Sequence, residues 1–191
     1  ACGAEYGLGL LEFLLKANCR VYLMVAAPGQ VVISMETDLE LPGRSAEIQK
    51  VLAVKYGVSG EQLRVFGREE WTAPVASGSS VPDAMVVCPC TSAFLSATAN
   101  GTSSDLMERA ADVAIKENNK LILVHRETPL SAIHLENSLK LARLGVTILP
   151  ANPGFYQNPT SIQDLVDFVV ARILDQLDVE HELLPRWGEQ Y

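Results

Sequence analysis

The chain has 191 residues, 48% of them hydrophobic and 20% charged, with a formal net charge of −8 at pH 7. That length and composition describe one α/β domain with a sizeable core, not two. The acidic balance excludes a nucleic-acid surface, which needs clustered Lys and Arg, so any anionic ligand is held by a few local cations.

In chain order, the opening "ACGAEYGLGLLEFLL" reads as the second half of a glycine turn entering a helix. That helix is expected over 4–17, with Leu8, Leu11, Leu14 and Leu15 on one face. Such a turn normally follows a buried strand, so a first strand is expected upstream of Ala1. "CRVYLMVAA" (19–27) is a continuous apolar run, the pattern of a strand buried on both faces. Pro28 starts a short helix over 29–36. Residues 45–57 have a Ser N-cap, an early Glu and a closing Gly, the marks of a helix. Strands are expected at 62–67 and 84–90, followed by helices at 92–99 and 104–118. A strand over 120–127, a helix over 131–144, a strand over 146–150 and a long helix over 161–178 complete the order. No run approaches the ~20 apolar residues of a membrane span.

Alternating strands and helices predict a doubly wound parallel α/β sheet, Rossmann-like or flavodoxin-like, with helices on both faces. One flavin-sized domain over 1–178 would be followed by a tail, 179–191, covering the site or a subunit interface. Ligands of such sheets lie in loops beyond the carboxyl ends of strands. The loops in question are 1–4, 26–36, 88–94 and 125–131. The first offers backbone N–H groups at a helix start, suited to a phosphate or merely to the turn itself. In the third, Thr91 and Ser92 either cap a helix or touch a ligand. In the fourth, Arg126 and Glu127 form a solvent-facing ion pair or part of a site. Arg172, flanked by Val169 and Ile173, must snorkel or find an anion. Tyr156, after Pro153 and Gly154, packs its loop or faces a ligand. The cysteines at 2, 19, 88 and 90 lack metal-ligand spacing and read as small buried residues of a reducing cytosol, so no metal is expected.

The stretches "GAEYGLGLLE", "PVASGSSVPDAMVVCPCTS", "LMERAADVAIKE", "LVHRETPLSAIHLENSLKL", "ILPANPGFY", "DLVDFVVARILD" and "LPRWGE" together resemble the flavin prenyltransferases of the UbiX/Pad group. That resemblance implies a cytoplasmic, metal-independent enzyme joining the dimethylallyl group of dimethylallyl monophosphate to N5 and C6 of reduced FMN. It implies trimers assembled into a dodecamer, with flavin between subunits. It also implies a UbiD-type decarboxylase, of the ubiquinone-pathway kind, that uses the product. The matching positions are Lys116, Arg126, Tyr156 and Arg172 around the prenyl phosphate, with Ser77 near it and Arg109 as a further base. Glu36 and Glu127 match proton-handling acids, and Trp187 an aromatic that covers the site. Flavin contacts fall on Ala1, Cys2, Ala26, Thr91, Ser92, Ala93, Phe94 and Arg126. Cys2 and Ala26 stand where the family has Ser, Phe94 replaces a small polar residue, and Gly9 replaces an Arg. A hydrogen bond to a charged group contributes roughly 1.5–3 kcal/mol, so each lost hydroxyl weakens FMN binding about ten- to a hundredfold.

Two other readings compete. A flavin-dependent cysteine decarboxylase would need a histidine in the N-terminal third, whereas none precedes His125. A flavin-storing scaffold that has lost catalysis would have no use for a cation cluster, which is costly to keep together. His134 and Glu136 resemble a catalytic pair, but a helix surface accounts for them.

Overall fold

The structure, a computed structural model, describes residues 2–185. The roles expected of Ala1 and Trp187 therefore lie outside the described residues. Five strands, β1 (Val21–Met24), β2 (Leu63–Phe66), β3 (Ala84–Cys90), β4 (Lys120–His125) and β5 (Thr147–Ile148), alternate with seven helices. These are α1 (Ala4–Lys16), α2 (Ala27–Glu36), α3 (Ser45–Tyr56), α4 (Ser92–Ala99), α5 (Leu106–Lys116), α6 (Ala132–Ala142) and α7 (Ile162–Leu177). The α/β alternation thus matches the sequence pattern. Two short 3₁₀ turns, Pro74–Ala76 and Gly78–Ser80, had no periodic signal.

Two boundaries moved for physical reasons. The apolar run at 19–27 is strand only over Val21–Met24, and its end belongs to α2, with Pro28 in the first turn. A continuously apolar run has no period to mark that switch, and β1 is half-buried, not buried on both faces as the run was read. β5 is shorter than 146–150, yet Leu149 still donates to Leu123 O and His125 donates to Leu149 O. Gly57 closes α3 at φ 65°, the left-handed conformation the closing glycine was read to supply.

All strand pairs are parallel, but they form two sheets, β1–β2 and β3–β4–β5, where one continuous sheet was expected. Helices join the two. β4 is buried on both faces: Leu121 and Leu123 meet Leu95, Ala111, Ala114 and Leu141, while Ile122 and Val124 meet Leu10 and the α7 residues Val166, Val170 and Ile173. α1 spans both sheets on one side, since Leu10 joins the α7 cluster while Leu11 and Leu15 pack on Leu63 and Val65. α5 does the same on the other, with Leu106 and Ala110 against Phe66 and Ala111 and Ala114 against β4.

α1 reaches β3 closely because Gly7 has no side chain. A Cβ there would sit 2.6 Å from the Cys88 carbonyl oxygen. Alanine in a helix is worth about 1 kcal/mol over glycine, but a backbone oxygen at that distance cannot yield. Gly7→Ala is expected to destabilise the protein by about 1–3 kcal/mol, read as a lower urea midpoint. A raised midpoint would show that α1 does not pack this tightly.

Candidate functional site

Four segments converge beyond the carboxyl ends of β3 and β4. Gly3, at φ 110°, turns the chain into α1, a conformation glycine adopts most easily. Its N–H donates to Glu36 Oε2 at 2.8 Å, and the Ala4 N–H donates to the same oxygen at 2.8 Å. The first helix start thus already holds a carboxylate, favoured there by the helix dipole. The first two N–H donors of loop one therefore face Glu36. Arg126 ties the fourth loop to the first, donating from Nε to the Cys2 carbonyl at 3.2 Å.

The third loop divides its two hydroxyls. Thr91 Oγ1 accepts from Phe94 N at 3.1 Å and caps α4, so the capping alternative holds for Thr91. Ser92 Oγ instead donates to Glu127 Oε2 at 2.9 Å and lies 3.2 Å from His125 Nε2. That bond, helped by the Thr128 backbone N–H and the neighbouring Arg126, holds the Glu127 carboxyl below its ordinary 4.5, although partial desolvation opposes it. Glu127 is accordingly a carboxylate at neutral pH. Ala93 follows Ser92 in the first turn of α4, and Phe94 packs against the β3–β5 core. Arg126 and Glu127 are consecutive but engage different partners, so neither is a plain surface ion pair.

The expected phosphate clamp does not assemble within one chain. Lys116 ends α5 and pairs with Glu117, whose carboxylate lies directly against Gly78, beside Ser77. Arg109, two turns earlier on α5, holds Ala76 O and Asp112. These groups precede β4, whereas Arg126 and Glu127 follow it. Six strand residues, about 20 Å, separate the two ends. Arg172 pairs with Asp175 on the exposed face of α7, so it finds its anion there. Tyr156 stacks edge-on against Phe168 at 5.9 Å between ring centres, one helical turn from Arg172. The structure thus groups Tyr156 with Arg172, and Ser77 with Lys116 and Arg109. Glu36, Cys2, Ser92, Arg126 and Glu127 form the third group.

His125 was not foreseen as part of the site. It is the last residue of β4, buried, and points at Ser92. A polar residue ending an otherwise apolar strand run was the available signal. His134 does what the helix-surface reading required: with Ser131 it forms a capping box on α6. The four cysteines are free, and burial pushes the Cys90 thiol up to about 12, which makes it inert. Among the described residues no cluster of three or more His, Cys, Asp or Glu could hold a metal, and no helix is long and apolar enough to cross a membrane.

Comparison with known proteins adds the relationships. The model of the Flavoprotein family matches residues 1–174. A protein of Pseudomonas aeruginosa named flavin prenyltransferase UbiX is 53% identical over 191 residues, covering 100% of this chain and 91% of its own. The crystal structure of AnUbiX in complex with FMN and dimethylallyl pyrophosphate superposes with a TM-score of 0.87 at 36% identity, covering 98% of this chain and 93% of that one. A dodecameric FMN-dependent UbiX-like decarboxylase from Escherichia coli gives a TM-score of 0.85 at 36% identity, over 98% and 95% of the two chains.

Ala26 occupies the N-cap of α2 in extended conformation and offers no side-chain cap. Ala26→Ser supplies the missing acceptor, so it is expected to stabilise the ligand-free protein by about 1 kcal/mol. Urea unfolding without flavin reads this as a raised midpoint at constant slope. An unmoved midpoint would mean that serine does not cap this helix.

Proposed function

The chain belongs to the flavin prenyltransferases of the Flavoprotein family, and we propose that it transfers the dimethylallyl group of dimethylallyl monophosphate to N5 and C6 of reduced FMN. Bound FMN supplies the electron-rich ring atoms that receive the prenyl unit. The residues suit that ligand: α2 begins without a side-chain cap, so the Ala27 and Gly29 N–H groups are available beside Ala26, Pro28 between them having none. Arg126, with Nε on Cys2 O, keeps the rest of its guanidinium for an anion at the same end. The backbone at Cys2 and the turn Thr91, Ser92, Ala93 and Phe94 would line the flavin.

Departure of the prenyl phosphate leaves negative charge that cations must meet. Lys116, Arg126 and Arg172, with the Tyr156 hydroxyl, supply it, and Ser77 and Arg109 stand beside Lys116. These groups lie at different ends of one protomer, so a complete clamp draws them from neighbouring copies. Exposed apolar side chains support such self-association: Met35 is 79% exposed, Phe155 70% and Ile133 67%. We place this chain in trimers forming a dodecamer.

The observation that carries this reading is Glu127, held as a carboxylate by Ser92 among the same loops as Glu36 and Arg126. Ring closure at C6 releases a proton, and a carboxylate kept ionised at neutral pH can take it. Glu36, anchored on Gly3 and Ala4, orders the adjoining loop. The product would pass to a UbiD-type decarboxylase in the cytoplasm, whose reducing conditions suit four free cysteines.

Anaerobic incubation with reduced FMN and dimethylallyl monophosphate, without added metal, is expected to yield flavin heavier by one prenyl unit in the mass spectrum. Glu127→Gln should bind both ligands and slow turnover by about a hundredfold or more. Unchanged FMN despite binding of both ligands would favour flavin storage, whereas carbon dioxide released from a cysteine-containing peptide would favour the cysteine decarboxylase. A shared clamp has its own signature. Lys116→Ala and Arg126→Ala, each inactive alone, should recover about a quarter of wild-type activity when co-expressed, because mixed assemblies contain intact sites. Absence of recovery would place all the cations in one protomer.

A further inference from the structure

Ser92 has one hydroxyl proton and two neighbours. Glu127 Oε2, at 2.9 Å, belongs to a carboxylate, which can only accept, so the proton points to Glu127. The oxygen then presents a lone pair to His125 Nε2 at 3.2 Å, and that nitrogen must be the one carrying hydrogen. The chain of donors runs from His125 Nε2–H to Ser92 Oγ–H to Glu127. This direction rules out a nucleophilic Ser92 activated by His125, which would need the bare nitrogen at Nε2.

We propose that His125 is a positioning residue: through Ser92 it aims a proton at Glu127 Oε2 and so fixes the proton acceptor of the reaction in place, with its second oxygen left to receive the proton. The proposal rests on the reading of Glu127 as that acceptor. Without the imidazole, the Ser92 hydroxyl could turn its proton elsewhere and Glu127 would lose its main stabilising donor. The surroundings of the ring suit a fixed, neutral donor. Burial lowers the His125 pKa, and His134 of α6, edge-on at 6.0 Å, lowers it further, with Arg126 adding to this and Glu127 opposing. The Cys90 thiol of β3, its register partner, is neutral. The backbone is equally fixed, since His125 N donates to Leu149 O and its carbonyl accepts from Ala151 N.

The test compares wild type with His125→Leu, His125→Gln, Ser92→Ala and the Leu/Ala double variant in the assembled protein. Two readouts are used: infrared titration of the Glu127 carboxylate without flavin, assigned by difference against Glu127→Gln, and the pH profile of prenyl transfer. His125→Leu and Ser92→Ala are expected to move the Glu127 titration to higher pH. The acid limb of the rate should follow, with about a tenfold loss at its foot for each unit moved. His125→Gln, whose amide N–H reaches the position of Nε2, should restore the wild-type titration, and the double variant should add nothing to Ser92→Ala. A Glu127 titration unmoved in folded His125→Leu overturns the proposal; if that variant does not fold, an unmoved titration in Ser92→Ala does so. A shifted titration in a protein that makes no prenylated flavin would uphold the positioning and reject the prenyltransferase reading.

Discussion

Two-sided burial of β4 is the constraint on which the rest of the structure depends. Leu121 and Leu123 face one helical layer, Ile122 and Val124 the other, and all four are at most 1% exposed. A parallel strand in that position is locked in register, because a slip by one residue would exchange its two faces. The chain that leaves its carboxyl end therefore starts from a fixed point. His125, Arg126 and Glu127 inherit that precision, as do Thr91 and Ser92 from neighbouring β3. α1 and α5, each packed across both sheets, bring the first loop and the β2 side into the same frame.

The same geometry separates the charges of the expected site. In a doubly wound fold each helix runs antiparallel to its strands, so the C-terminus of α5 must lie at the opposite sheet end from the loops after β3 and β4. Lys116 stands at that far end, and Lys120 with Asp178 shows that α7 also finishes there. Lys116 and Arg126 therefore belong to opposite ends of the sheet within one chain.

Local hydrogen bonding decides what each polar residue of the loops is for. Of two adjacent hydroxyls, Thr91 caps a helix and Ser92 holds a carboxylate, although both belong to the same turn. Glu36 rests on the N–H groups that a phosphate was expected to use. The α1 start is thus occupied by a carboxylate from α2, a pairing that joins two loops through backbone N–H groups.

The sequence by itself determined the element order, the α/β class and the residues worth watching. Those depend on short-range physics: the closing Gly57 of α3, the apolar period of α7, the continuous apolar run of β4. The Ser N-cap read for α3 is not one, since Arg44 holds that position and Ser45 Oγ donates to Glu70. Its resemblance blocks also pointed to Lys116, Arg126, Glu127, Tyr156 and Arg172, and the wider match to Glu36. It could not tell where the run at 19–27 changes from strand to helix, because a continuously apolar run carries no period. Only the tertiary structure decided that Thr91 caps while Ser92 joins His125 to Glu127, partners 33 and 35 residues away. Only it put Lys116 and Arg126 at opposite ends of one strand. Pairings of that kind depend on how separated segments pack, and no local pattern encodes the distance between them.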